Sequence, residues 1–218
     1  MIPEGQLSAV VTCHDSGPLL LSAIKSIRQQ GDITVILVDD GSTSCACEQA
    51  PSEVTRLIRP HSGQGASLNA GLAQVDTPFV SFLDDDDEWI PGKAQRQWEL
   101  LRASAADAVV GGVINVERRA DGTEQRRTFS STRVLGAMTF RTDAMRRVGP
   151  FDESSRLHGI IDWWSRAETC GFDTIADPDP ALLRRIHESN IGVTQREKAR
   201  RDLLHHLRTH RARTQDSG

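Results

Sequence analysis

The stretch ITVILVDDGS, residues 33 to 42, is apolar at consecutive positions and then breaks into a polar turn. A strand with one solvated face alternates apolar with polar residues, so a strand of this kind must be covered on both faces. Before it come a short β-rich run, LSAVVT from Leu7 to Thr12, and the segment CHDSGPLLLSAIKSIRQQG. In that segment Leu20, Ile24 and Ile27 share one helical face, Asp15 or Ser16 is available to cap the start, and Gly31 to end it. Strand, helix and doubly covered strand together predict a parallel crossover unit.

The alternation continues with VTRLI (54–58), a helix over 65–75, FVSFL (79–83) and a helix starting near Pro91. The second half is less regular. DAVVGGVINVERR is expected to turn at Asp121-Gly122 into a partner strand. After it come a short helix near Asp143 to Val148, a helix over IDWWSRAETCG and a strand-like ALLRRIH. No Pro-, Gly- or Ser-rich linker divides the 218 residues, a length that suits one ordinary domain. The expected fold class is α/β with a mixed, mainly parallel central sheet.

Open α/β sheets bind ligands at the C-terminal ends of their strands, and the polar motifs follow the strands. Thr12 to Asp15 follow the first strand, Asp39 to Ser42 the second, His61 to Gly65 the third and Asp84 to Asp87 the fourth. Gly63 and Gly65, just before a helix, are as a pair no more than a weak phosphate-cradle signal. The four aspartates repel one another and call for a cation. If the segment is extended, Asp84 and Asp86 face one side and Asp85 and Asp87 the other, so a D-x-D pair offers two carboxylates to one point. Oxygen ligands of this kind suit Mg²⁺ or Mn²⁺ with substrate phosphates completing the shell. The plain alternative is a solvated acidic turn before the helix at Pro91.

A net charge of −4 gives no general attraction for nucleic acid. No signal peptide and no bilayer-length apolar run is evident, so a cytoplasmic protein is expected, peripheral to a membrane at most. Cys13, Cys45, Cys47 and Cys170 are expected to be free thiols, and Cys45-Ala46-Cys47 by itself reads as a turn with small residues rather than a zinc site. His14, His61 and His158 carry no spacing pattern and are expected on solvated loops. Residues 193–218 form a basic, helix-prone tail; it either packs on the domain or meets an acidic protein or anionic membrane surface.

AVVTCHDSG, VILVDDGST, SGQGASLNAGL, FLDDDDEWIPGK, FRTDAMRRVGPFDE, IDWWSRA and RRIHESN resemble, in order and spacing, segments of the family 2 nucleotide-sugar glycosyltransferases. Seven ordered segments over roughly residues 7–192 are far more specific than one motif. The resemblance implies a GT-A fold across 1–192 and inverting transfer from a nucleoside-diphosphate sugar to a small-molecule or carrier-bound acceptor. A uridine donor is the default, with thymidine or guanosine open. It implies donor contacts at Thr12, Asp39, Asp40, Asn69, Asp84 and Asp85. For Mn²⁺ or Mg²⁺ it implies Asp84, Asp86 and His187, with Asp87 and Arg185 close by. Asp162 stands at the place of the catalytic base, and Trp163 and Trp164 are candidates for an acceptor pocket. Two departures stand out: Leu68 replaces an Arg before Asn69, and Ile161 replaces a Glu before Asp162. A sugar-phosphate nucleotidyltransferase and an inactive nucleotide-sugar-binding subunit are the competing readings.

Overall fold

The computed structural model describes residues 1–43, 45–118, 123–129, 133–154 and 159–186. The first half forms the expected crossover units: β1 (Leu7–Cys13), α1 (Leu19–Arg28), β2 (Thr34–Asp39), β3 (Thr55–Ile58), α2 (Gln64–Ala73) and β4 (Phe79–Asp84). β1 runs parallel to both β2 and β4, and β2 runs parallel to β3. Every residue of β1 is buried. Strand side chains alternate, so Leu7, Ala9, Val11 and Cys13 enter one apolar layer while Val10 enters the other. Helix α1 covers the first layer with Leu20, Ile24 and Ile27, and α2 covers the second with Leu68 and Leu72. Neither Asp15 nor Ser16 caps α1: Pro18 holds the capping position, and both side chains turn toward neighbouring loops.

The second half adds β5 (Glu88–Trp89), α3 (Lys93–Ala103), β6 (Ala108–Arg118), β7 (Glu124–Phe129), β8 (Met138–Arg141), α4 (Thr142–Val148), α5 (Gly159–Thr169) and β9 (Thr174–Ile186). The sheet runs β3-β2-β1-β4-β8-β6-β9-β5, with β7 paired to β6. The expected hairpin is present, with Arg118 opposite Glu124, while its turn at Asp121-Gly122 lies outside the described residues. β5 is too short to leave a periodic signal. It pairs antiparallel with Leu182 and Leu183 of β9 and folds the aspartate segment back against that strand.

Phe82, Phe140, Phe151, Trp163, Trp164 and Phe172 make the aromatic centre of the second layer. Trp163 is fully buried and its Nε1 donates to the Gly149 carbonyl at 3.0 Å. Both tryptophans expected to line an acceptor pocket are therefore core residues. On the other face Lys93 is buried, and burial drives its amine well below the usual lysine range. Its Nζ donates to Ser81 Oγ, Met138 O and Thr139 Oγ1 at 2.9 to 3.2 Å, tying α3 to the sheet between β4 and β8.

Candidate active site

A cavity of about 860 Å³ opens over the C-terminal ends of the parallel strands, lined among others by Thr12, His14, Asp40, Asp84 to Asp87 and Arg184. Parallel register sets Thr12 beside Val38 and Asp84, so a residue from β1 and one from β4 reach the same rim. The two aspartates after β2 divide. Asp40 faces the cavity, and its carboxylate accepts the Ser62 and Gly63 amides at 2.8 Å each and His61 Nδ1 at 2.9 Å. Burial raises its pKa, but these amides, the Ser67 hydroxyl and His61 outweigh burial and hold the carboxyl below the usual range. Asp39 is buried beneath the turn, where Oδ1 accepts the Ser42 amide at 2.9 Å; it does not line the cavity, contrary to its expected donor contact.

Gly63 has φ +95°, a conformation that favours glycine, and its amide is committed to Asp40. At Gly65 a Cβ would lie 2.6 Å from the Asp152 carbonyl, so this glycine permits close packing. The Gly63 amide is thus not offered to a phosphate, and Gly65 does not line the cavity.

The aspartate run is not extended throughout. β4 ends at Asp84, and a turn closed by the Asp87 amide on the Asp84 carbonyl at 3.2 Å follows, which replaces the expected alternation of sides. Asp84 accepts Gln64 Nε2 at 3.2 Å, and Ser16 donates its hydroxyl to Asp85. Burial, then the charges of Asp86 and Asp85, push the Asp84 carboxyl up to about 6. Burial, then Asp84 and Asp86, push Asp87 up to about 8, although the Arg185 amide donates to its Oδ1 at 2.9 Å.

β9 decides which arginine serves the site. Successive strand residues face opposite ways. Arg185 bonds the Asp86 carbonyl at 2.9 Å and Glu88 Oε1 at 2.6 Å, bracing the turn. Arg184 lines the cavity, and its charge opposes the rise at both Asp84 and Asp87. Sequence reasoning pointed to Arg185; the β9 alternation was the signal for Arg184.

The donor set fits a hard divalent cation. It is all oxygen, and the burial and mutual repulsion that lift Asp84 are what Mg²⁺ or Mn²⁺ would offset. Among the described residues these carboxylates do not close a three-ligand cluster, so an ion here would take further oxygens from a substrate.

Other expected residues lie elsewhere. Asn69 is fully engaged: Nδ2 donates to Phe151 O at 2.9 Å and Glu153 Oε1 at 2.8 Å, and Oδ1 accepts the Phe151 amide at 2.8 Å. It clamps α2 to the PFDE turn at residues 150–153. Asp162 does not line the cavity, and its Oδ2 accepts Arg166 Nε at 2.8 Å one helical turn on. Arg166 in turn donates to the Val148 and Pro150 carbonyls. Ile160 is the α5 residue on the cavity wall. Two residues along a helix are about 200° apart, so a helix that turns Ile160 inward turns Asp162 away. His187, His158 and the tail lie outside the described residues. His14 and His61 lie on exposed loops as expected, and there they stack with ring centroids 4.2 Å apart on the cavity wall, each with Nδ1 within 3.1 Å of the Asp40 carbonyl oxygen.

A mixed, mainly parallel sheet with helices on both faces and a carboxylate-lined cavity at its strand ends defines a GT-A type protein. Residues 8–159 match Glycosyl transferase family 2, and the chain belongs to that family. An uncharacterised glycosyltransferase of Nostoc sp. is 34% identical over 136 residues, 58% of this chain and 41% of the relative. The pre-mycofactocin glycosyltransferase of Mycobacterium tuberculosis is 26% identical over 85% of this chain and 43% of its own length. This chain thus spans less than half of either relative. Among solved structures, S. aureus TarS residues 1–349 with UDP-GlcNAc has a TM-score of 0.63 at 17% identity, over 85% of this chain and 60% of that one. No described helix is long and apolar enough to cross a membrane.

Proposed function

We propose that the chain transfers a sugar from a nucleoside-diphosphate donor, uridine-based by default, seated over the ends of β1, β2 and β4. The observation that carries this reading is the convergence of Thr12, Asp40, the Asp84–Asp87 turn and Arg184 on one cavity. Thr12 and Asp40 border the nucleoside end. Asp84 and Asp86 are the residues to hold Mg²⁺ or Mn²⁺, which when bound would stabilise charge on the departing diphosphate. Arg184 supplies a fixed cation to the same oxygens, a role that needs no rearrangement during transfer. The acceptor, a small molecule or one presented on a carrier, approaches along the wall of Val134, Leu135, Gly136 and Ile160.

A second reading, a donor-binding subunit without transfer activity, is favoured by one observation: α5 presents Ile160 rather than a carboxylate to the cavity. Calorimetric titration with UDP, dTDP, GDP and CDP, each with and without Mn²⁺, tests the donor site on the wild type and Asp84→Asn. Metal-dependent binding of one nucleotide, lost in the variant, supports it; no binding by any nucleotide overturns it. Slow hydrolysis of the cognate nucleotide sugar then separates an enzyme from a binding subunit, which would leave the donor intact.

A further inference from the structure

We propose that Cys13, Asp39 and Cys47 form a binding site for a thiophilic divalent cation of the zinc class, distinct from the aspartates of the donor cavity. The two sulfurs and an Asp39 carboxylate oxygen all lie within 4.8 Å of one another. The residues come from three places: the last residue of β1, its register partner at the end of β2, and a 3-10 turn over Cys45–Gln49. All three side chains are buried, at 4%, 8% and 6% exposure. Asp39 Oδ1 holds the Ser42 amide, and the carboxylate so oriented also takes a hydrogen bond from the Cys47 thiol, a contact that a metal ion would replace. Among the described residues no cationic side chain forms an ion pair with Asp39.

Two thiolates and a carboxylate are a donor set for Zn²⁺ and its congeners, and a poor one for Mg²⁺ or Mn²⁺. The sulfurs stand 2.9 Å apart. In a tetrahedral shell with Zn–S near 2.3 Å they would stand about 3.8 Å apart, so loading moves the 3-10 turn outward by roughly 1 Å. Three protein ligands leave a fourth position for water or for Ser42 Oγ, which lies 4.0 Å from Cys47 Sγ. Cys13 also borders the donor cavity, which gives an ion a route in.

The same pair is badly placed to be a peroxide-sensing dithiol. Reactive thiols are exposed and held as thiolates. Here burial, followed for Cys13 by Cys47 and Asp39, pushes the thiols up. A metal ion removes that obstacle by deprotonating its own ligands, so uptake of one ion releases two thiol protons. The loaded site would tie the 3-10 turn to the ends of β1 and β2 and raise the unfolding midpoint. Because its ligands are none of the residues assigned to the donor, this inference holds or fails independently of the proposed transfer activity.

The full chain, stripped with chelator under reducing conditions, is titrated with Co²⁺ and Zn²⁺ in separate arms. The expected result is one equivalent of Co²⁺ giving a thiolate-to-metal charge-transfer band, displaced by Zn²⁺, with a higher melting midpoint. Oxygen ligation at Asp84–Asp87 gives no such band, which keeps the two sites apart even in the wild type. Cys47→Ser should lose the band and weaken Zn²⁺ binding by at least what losing an outer-shell partner costs, on the order of 10–100-fold. His61→Ala should change neither, since the only other three-ligand cluster among the described residues is His14, Asp40 and His61. Zn²⁺ binding that survives Cys47→Ser but not His61→Ala overturns the assignment in favour of that cluster. Absence of the charge-transfer band while both thiols titrate as free overturns it outright. In a parallel sample purified without reductant, thiols that titrate only after reductant is added would show a disulfide instead and also overturn it.

Discussion

The donor-side rim and the α5 side of the molecule carry motif residues in similar density, yet the two deliver them differently. At the ends of β1, β2 and β4, Thr12, Asp40 and the Asp84–Asp87 turn arrive where the motifs place them. On α5, Trp163 and Trp164 go to the core and Asp162 to an ion pair, while Ile160 meets the cavity. Parallel strands share one C-terminal edge, so residues after them have little choice of destination. A helix offers every direction, and a phase shift of one or two residues exchanges a wall residue for a core residue.

The sharpest break of this contrast is Trp163→Ala. If Trp163 is core, truncation should cost about 3–5 kcal/mol, read as a lower urea midpoint at unchanged slope. A variant that keeps its stability but loses acceptor affinity would return Trp163 to the acceptor pocket.

β9 repeats the lesson within one strand, because neighbouring arginines face opposite ways. Arg185→Met removes bonds to the Asp86 carbonyl and Glu88, each of the charged class worth about 1.5–3 kcal/mol, and should lower stability by that order. Arg184→Met should leave the unfolding free energy within about 0.5 kcal/mol of wild type. Its donor affinity should fall about tenfold, the loss of one charged hydrogen bond. Reversed results would mean that Arg185 is the cavity residue.

Much of the rim was legible because it follows from rules of direction: a doubly apolar strand is buried, buried parallel strands end together, and polar residues collect there. The division between Asp39 and Asp40 was not legible, since adjacent residues after a strand differ only by the turn that follows; Gly41, at φ +75°, sets that turn. Asn69 was misread for a related reason. Its motif position said that the amide matters, and it does, but its partners belong to the PFDE turn some eighty residues on, a distance no local pattern spans. β5 and the closure it imposes on the aspartates were invisible at two residues in length.

That closure has a pH signature. Asp87 is held at about 8 against an ordinary 3.8, by burial first and then by Asp84 and Asp86. A carboxyl with a raised folded pKa contributes stability that is whole below its unfolded pKa and is lost as pH rises through the folded one. The ligand-free protein should therefore lose stability between about pH 4 and 8, and Asp87→Asn should flatten that loss by several kcal/mol at most, on the order of 1.4 kcal/mol for each pH unit between the ordinary and the raised value. Mg²⁺ with nucleoside diphosphate should flatten it in the wild type too, because an added cation favours the ionised turn. Identical melting curves for wild type and variant across this range would remove Asp87 from the coupled group.

The smallest expected effect separates the two sides most cleanly. Asp162 and Arg166 form a half-exposed pair one helical turn apart, so Asp162→Asn should lower stability by roughly 0.3–0.5 kcal/mol and leave kcat within a few-fold of wild type. A catalytic base would behave in the opposite way, since losing it should cost about 10²–10⁴ in kcat with little change in stability. If kcat collapses, the reacting complex must break the Arg166 contact and turn α5, and the ligand-free helix would be a resting arrangement. If kcat holds, the proton of the acceptor leaves by another route, and the carboxylates of the cavity turn become the groups to test.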